Sequence, residues 1–269
     1  MPFFADLRPL PDPAPVRHLA FADFDETYLA HAGGDAHREL EEFLVHAAGA
    51  RNLMFGWVTG SSAAAVADRA NRRGLTVVPH FVASSLATDL LVLDQGELRP
   101  DGRWAERIRA SGYRTATVRR LVETLARQGV ALARQPGSGA TPYIENFYLR
   151  DERAVAVVRA LAAEFRIGVN VSRCNPGAGD PAGTFDVDFF PPGCGKAEVV
   201  RELCERYGVP AVRTYAFGDS EGDLEMLRVV GHGYLVGNCT AEARAAFPRV
   251  CEASYATGIL QVLRHIGEQ

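Results

Sequence analysis

Long apolar runs separated by amphipathic stretches set the pattern of the first third of the chain. HLAFADF (18–24) and LMFGWVT (53–59) are apolar at both phases of the two-residue alternation, as expected of strands buried on both faces of a parallel sheet. The second run turns at Thr59-Gly60-Ser61-Ser62 into an alanine-rich segment that stops near Gly74. This predicts a helix with a serine N-cap and a glycine C-cap. VVPHFVAS (77–84) predicts a third strand and LLVLDQGEL (90–98) a hairpin. The same rhythm returns late, with TYAFGD (214–219), a helix over 220–229, GYLVGN (233–238) and a terminal helix ending in GILQVLRHI. Alternation of this kind predicts a doubly wound, Rossmann-like α/β core. The leader, with Pro9, Pro11, Pro13 and Pro15, reads as a loop.

The middle of the chain follows another pattern. A helix is expected over 104–128, then VALAR (130–134), a turn-rich QPGSGATP (135–142) and YIENFYLR (143–150). A helix over 151–164, IGVNVSR (167–173), a second Gly/Pro loop (175–183) and FDVDFF (185–190) complete an αββαββ order. Because loops and not crossover helices join the paired strands, a small antiparallel sheet with helices on one face is expected. The reading is an α+β domain at 104–186 inserted into a core made of 1–103 and 187–269.

Composition narrows the class. The chain has 269 residues, 47% hydrophobic and 23% charged, which excludes disordered, collagenous and coiled-coil proteins. No uncharged apolar run approaches the roughly 18 residues of a membrane-spanning helix. The N-terminus lacks the apolar segment of a signal peptide. Five cysteines without a CxxC pair fit reduced thiols and a cytoplasmic location. A net charge of −4 with no basic block argues against a nucleic-acid surface. Of 29 lysines and arginines, 28 are arginine and one is Lys196, a bias that a GC-rich genome alone could produce.

The candidate chemistry lies at the C-terminal ends of the core strands, where open α/β sheets form their ligand crevice. In FADFDET, Asp23 and Asp25 are two residues apart on extended chain and point the same way. Like charges and desolvation make such a pair costly unless it is used, although Asp25-Glu26-Thr27 could be a polar turn. Thr59 and Gly60 end a strand before a helix and offer a hydroxyl and free N–H groups to an anion, or simply precede an N-cap. Lys196 opens a helix, where a cation opposes the macrodipole and calls for a counter-anion; a solvated first-turn lysine is the plain alternative. In GDSEGD, Ser220-x-x-Asp223 satisfies a capping box without catalysis, which leaves Asp219 unexplained.

The four pieces, D-x-D-x-T, a strand-end threonine, a lysine and G-D-S-x-x-D, stand in that order with the insertion between the second and third. This set resembles the haloacid dehalogenase superfamily of phosphotransferases. The position of the insert and its αββαββ order resemble the type 2 cap subgroup, and GDSEGDLEML, GYLVGN and YATGILQVLRHI are similar to its sucrose-phosphate phosphatase branch. The resemblance implies Asp23 as nucleophile, forming an aspartyl-phosphate, and Asp25 as the acid and base for the leaving oxygen and water. It implies Mg²⁺ held by Asp23, the Asp25 carbonyl, Asp219 and Asp223, with Thr59, Gly60, Lys196 and a loop asparagine, Asn238, around the phosphoryl group. Glu26 stands where many relatives have glycine, and Ser61 where arginine often follows the threonine-glycine pair.

The resemblance also implies that substrate choice comes from the cap. Candidates are Tyr143, Glu145, Asn146 and Tyr148 on one cap strand and Asn170, Ser172 and Arg173 on another; alternation allows only Tyr143/Glu145 or Asn146/Tyr148 to face the substrate. The histidines (18, 31, 37, 46, 80, 232, 265) show no ligand spacing and read as surface or packing residues. The expected function is a Mg²⁺-dependent phosphomonoesterase acting on a small sugar or glycoside phosphate, with neither nucleic acid nor membrane as partner, as a monomer or homodimer. Rivals are a hexose phosphomutase, a non-catalytic sugar-phosphate binder, and a phosphate-sensing receiver module, which is about half this length and has no inserted cap.

Overall fold

A computed structural model describes residues 3–31, 36–136, 141–174 and 181–267. The chain forms two compact units, Met1–Gly102 with Lys196–Gln269, and Arg103–Gly195.

The first unit begins with β1 (Arg8–Pro9), β2 (His18–Ala22), α1 (Ala36–Ala50), β3 (Leu53–Val58), α2 (Ala63–Arg72), β4 (Val77–Val78), β5 (Phe81–Ser84), β6 (Asp89–Asp94) and β7 (Glu97–Pro100). After the insertion come α6 (Lys196–Tyr207), β12 (Thr214–Gly218), α7 (Leu224–Val229), β13 (His232–Leu235), α8 (Ala241–Ala246) and α9 (Tyr255–Leu263). The main sheet runs β13-β12-β2-β3-β5-β6-β7, parallel from β13 to β5 and antiparallel through the hairpin β6-β7.

β2 and β3 are buried on both faces, as their unbroken apolar runs require. Ala20, Ala22, Phe55 and Trp57 pack with the inner faces of α1, α2 and α9. Leu19 and Phe21 are equally buried on the opposite face, where Phe21 meets the Phe81 ring at 5.3 Å. Burying a side chain of this size stabilises the fold by about 1.5–3 kcal/mol, so a polar residue within these runs would be strongly disfavoured. Gly56 lies in β3 because a Cβ there would stand 2.3 Å from the Phe81 ring.

Several elements depart from the sequence expectation. The expected strand over 77–84 is two pieces, β4 and β5, because Pro79 cannot donate a ladder hydrogen bond. The leader is not a free loop: β1 pairs with β4, and Phe4, Leu7 and Leu10 are buried in the core. His80 fastens it as a packing histidine. Its Nδ1 accepts from the Phe55 N–H at 3.0 Å, so its Nε2 donates to the Pro11 carbonyl at 2.9 Å. Burial holds this ring below the usual histidine range, which keeps it neutral.

The inserted unit contains α3 (Gly102–Ala110), which starts at the boundary, then α4 (Thr115–Arg127), β8 (Leu132–Arg134), β9 (Glu145–Leu149), α5 (Val155–Glu164), β10 (Gly168–Arg173) and β11 (Phe185–Phe190). The single helix expected over 104–128 is split at Gly112, whose φ of +72° breaks the helix. The sheet is antiparallel in the order β10-β11-β9-β8. One face carries Phe147, Leu149, Val187 and Phe189 against Val118, Leu121 and Leu125 of α4 and Val158 and Leu161 of α5. The expected return to the core at 187 is corrected to Lys196, because β11 pairs along its length with β9 and β10. Part of the Gly/Pro loop expected over 175–183, and of the turn over 135–142, lies outside the described residues.

Candidate active site

Three neighbouring parallel strands, β12, β2 and β3, are followed directly by Asp219, Asp23 and Thr59. The chain leaves β2 for β3 on one side and returns to β12 on the other, so their C-terminal ends form the topological switch point of the sheet. The Asp23 N–H donates to the Phe217 carbonyl at 2.9 Å, extending the β2–β12 ladder to the first of these acids. The first and last motifs also meet through a side chain. Thr27 Oγ1, fully buried, donates to Asp219 Oδ1 at 2.8 Å.

Lys196, at the start of α6, places Nζ 2.7 Å from Asp23 Oδ1 and 2.7 Å from Asp223 Oδ1. The helix-opening lysine therefore has two counter-anions and is not a solvated residue. Asp23, Asp219 and Asp223 bring ligand oxygens within 4.8 Å of one another, a grouping able to hold a metal ion. Burial raises the Asp23 carboxyl to about 7, with Lys196 opposing the rise and Asp223 adding to it. Burial, then the neighbouring Asp223 and Asp23, raises Asp219 to about 8. The two carboxylates in turn hold Lys196 above the usual lysine range, outweighing its own desolvation.

The capping box at Ser220 and Asp223 is present, and it coexists with the lysine contact. Asp223 Oδ2 accepts from the Asp219 N–H at 3.0 Å and from Ser220 N–H and Oγ at 3.1 and 3.2 Å, while Oδ1 takes Lys196. Both oxygens of this fully buried acid are thus in use. Asp23 and Asp219 each keep one oxygen, Oδ2, outside hydrogen bonds among the described residues.

Asp25 belongs to a different set of partners. β2 ends at Ala22, and the carboxyl of Asp25 meets Arg69, Ser61 and His31, not Lys196. Arg69 Nη2 donates to Oδ2 at 2.9 Å and Arg69 Nε stands 2.8 Å from Oδ1. Ser61 Oγ donates to Oδ2 at 3.0 Å, and His31 Nε2 lies 3.0 Å from Oδ1. Thr59, buried, accepts the Ser61 N–H on Oγ1 at 3.1 Å, which leaves its hydroxyl proton available.

The family follows from comparison with known proteins. The model of the sucrose-6F-phosphate phosphohydrolase family matches residues 16–267. The chain belongs to that family. It is 35% identical over 262 residues to the kanosamine-6-phosphate phosphatase of Bacillus subtilis, spanning 93% of each chain. Among solved structures, a haloacid dehalogenase-like hydrolase of Bacillus subtilis, yhjK, superposes with a TM-score of 0.77 at 32% identity, covering 97% of this chain and 96% of that one. The sucrose-phosphatase of Synechocystis, solved with sucrose and phosphate, gives 0.71 at 19% identity over 93% and 98%. The protein is therefore a phosphatase of the haloacid dehalogenase superfamily, with the α/β core and inserted α+β unit its sequence suggested.

The departures from the family pattern now have local explanations. Glu26 occupies the left-handed region, with φ of +59°, the conformation that favours the glycine of many relatives. Its carboxyl accepts the His31 N–H at 2.9 Å, and its carbonyl accepts Asn238 Nδ2 at 2.7 Å. Asn238 Oδ1 takes the Tyr255 N–H at 2.9 Å, so both ends of this side chain tie loops together. Ser61, where arginine is common, serves Asp25.

Within the inserted unit, alternation separates the candidates. Glu145, buried, shares the helix-packed face with Phe147 and pairs with Arg134 at 2.8 Å. Arg173 reaches back to Glu152 at 2.8 Å. Asn146 lies on the other face, in register with Asp188 and Asn170, and Tyr148 with Asp186 and Ser172. Asn146 and Asn170 donate to the two oxygens of Asp188 at 2.7 and 3.2 Å.

Sequence reasoning missed Arg69, His31, Asp186 and Asp188. The alternating FDVDFF carried a signal for the last two. A loop histidine and a helix arginine carried none, because their contacts with Asp25 are tertiary.

Proposed function

We propose that this phosphatase is a Mg²⁺-dependent phosphomonoesterase that hydrolyses a sugar or glycoside phosphate through an aspartyl-phosphate on Asp23. The observation that carries the reading is the setting of Asp23: at the switch point, bonded to Lys196, inside a cluster of three acids. Two of the three carboxylates, Asp23 and Asp223, share one ammonium and Asp219 has none among the described residues, so the cluster holds more negative charge than Lys196 balances. An all-oxygen donor set with that deficit fits a hard divalent cation. Asp23 and Asp219, each with an oxygen to spare, would hold the ion together with the Asp25 carbonyl, and Asp223 would brace Lys196 and the Asp219 loop. When bound, the ion supplies charge neutralisation for the phosphoryl group.

In the first half-reaction an Asp23 oxygen attacks phosphorus, the ester P–O bond breaks, and Asp25 gives its proton to the departing alkoxide. In the second, water attacks the phosphoryl-aspartate while Asp25 takes the water proton, the Asp23–phosphorus linkage breaks and inorganic phosphate leaves. Lys196 favours the ionised form of Asp23 against burial, and Thr59, Gly60 and Lys196 hold phosphoryl oxygens, since phosphoryl transfer is chiefly positioning and charge neutralisation. The inserted unit is the source of substrate choice in this reading, through Asn146 and the polar groups that share its sheet face. Five thiols, none in a disulfide among the described residues, support a reducing, cytoplasmic setting in this reading. Among the described residues no helix is long and apolar enough to cross a membrane.

The test is phosphate release from kanosamine 6-phosphate, glucose 6-phosphate and sucrose 6F-phosphate, with and without Mg²⁺. Mg²⁺-dependent release from one of them without a bisphosphate activator supports the reading. Isomerisation without release assigns a phosphomutase, and EDTA-insensitive turnover overturns the metal assignment.

A further inference from the structure

We infer that Arg69 sets the orientation of the Asp25 carboxyl and is a positioning residue for proton transfer to the ester oxygen. The inference rests on the reading of Asp25 as the acid and base of the proposed reaction.

An ionised carboxylate offers about four lone-pair positions. At Asp25 all four have a neighbour: Arg69 Nε (2.8 Å) and His31 Nε2 (3.0 Å) on Oδ1, and Arg69 Nη2 (2.9 Å) and Ser61 Oγ (3.0 Å) on Oδ2. Arg69 alone touches both oxygens. A single contact lets a carboxyl turn about its last torsion, which is broad, whereas a guanidinium across both oxygens fixes its plane. The Nε contact is an ion pair at a poor hydrogen-bond angle, so the Nη2 bond and the charge carry most of the hold.

Arg69 is itself held in place. Its guanidinium lies over the Phe24 ring at 5.8 Å, and Phe24 packs edge-on against Trp57 at 4.8 Å, both rings fully buried. Its helix, α2, buries Val66, Ala67 and Ala70 on either side of it in sequence. His31 differs: its side chain is 42% exposed, against 24% for Arg69. In the acid form the transferable proton sits on Oδ1, and an ester oxygen arriving there replaces the exposed imidazole and accepts that proton while the guanidinium stays where it is. Asp25 then meets the leaving oxygen of the first half-reaction and the water of the second in one orientation.

Leaving-group chemistry separates this role from a structural one. A sugar alkoxide needs a proton as it departs, and 4-nitrophenolate does not; general acid catalysis contributes roughly 10²–10⁴-fold to the former. The experiment compares kcat/KM on 4-nitrophenyl phosphate and on the best sugar phosphate of the panel above, for Arg69→Met, Arg69→Lys and Asp25→Asn. Melting temperatures are measured alongside. Arg69→Met is expected to lose about 100-fold or more on the sugar ester and under about fivefold on the nitrophenyl ester. Arg69→Lys, which keeps the charge without the fork, should recover part of the loss. If Arg69→Met does not fold, Arg69→Lys carries the same comparison with a loss of about tenfold on the sugar ester alone.

Equal losses on both esters in folded variants, or no loss on either, overturn the role of Arg69. The premise fails separately: if Asp25→Asn loses both esters equally, Asp25 is not the acid. Should the wild-type protein hydrolyse neither ester, the phosphatase reading itself falls.

Discussion

Lys196 Nζ lies 2.7 Å from Asp23 Oδ1 across 173 residues of sequence, with the inserted unit between them. The ammonium also meets Asp223 at 2.7 Å, so one side chain neutralises part of a buried acid cluster from two directions. Arginine is bulkier, planar and forked, and cannot present a point charge to both oxygens in that space. Lys196→Arg is therefore expected to reduce kcat/KM by about 100-fold or more while the protein still folds. Near-normal kinetics in that variant would show the lone lysine to be a by-product of codon usage.

Asp23→Asn removes the proposed nucleophile and keeps its shape. Turnover is expected to fall by roughly 10⁴-fold or more, because the proposed reaction runs through a covalent intermediate on this carboxylate. Trapping with radiolabelled substrate should label the wild-type protein and leave the variant unlabelled. Label in the variant places the intermediate elsewhere.

The raised carboxyls make a prediction about pH and metal. Asp23 and Asp219, normally near 3.8, titrate near 7 and 8 in the folded, metal-free cluster. Between those limits the native state binds more protons than the unfolded one, so stability falls as pH rises. The contribution is complete below pH 4 and lost through pH 7–8 (Lys196 stays charged throughout and adds no slope). EDTA-treated protein should melt several degrees lower at pH 8 than at pH 5.5 on account of these groups. Millimolar Mg²⁺ should restore the loss at pH 8, since an ion that binds only the folded protein stabilises it by mass action. A metal-independent, flat profile contradicts the cluster as described.

Gly218, the residue before Asp219, leaves no room for a side chain: a Cβ there would stand 2.2 Å from Cβ of Asp223. Gly218→Ala must push Asp223 away from Lys196 and from the N–H groups of Asp219 and Ser220. The expected result is about 1–3 kcal/mol of lost stability in urea unfolding, with activity falling far more than stability. Wild-type kinetics would mean that Asp223 is dispensable.

Legibility in the sequence followed the range of the interactions concerned. β2, β3 and β12 are readable because burial on both faces forces an unbroken apolar run. The 77–84 run carried a signal of its break in Pro79, but not the partner of its first piece, since Val77 and Val78 are apolar for a different neighbour, the leader strand β1. The left-handed turn at Ser85, Leu86 and Ala87 has φ of +54°, +54° and +62° without a glycine to announce it. It is held from outside its own sequence by the Ser85 N–H donating to the Ser61 carbonyl at 2.8 Å.

The sequence by itself determined the α/β class, the presence of an insertion, and four short motifs with acids at strand ends and a lysine at a helix start. These are local facts: alternation, capping residues and the cost of a buried charge are written in neighbouring positions. Tertiary structure alone decided which acid each cation serves. Asp23 and Asp25, two residues apart, separate to Lys196 and Arg69, because the chain leaves its strand at Ala22 and each carboxyl then meets a different, partly buried cation. No periodicity records that choice, since it depends on where α2 and α6 come to rest against the sheet.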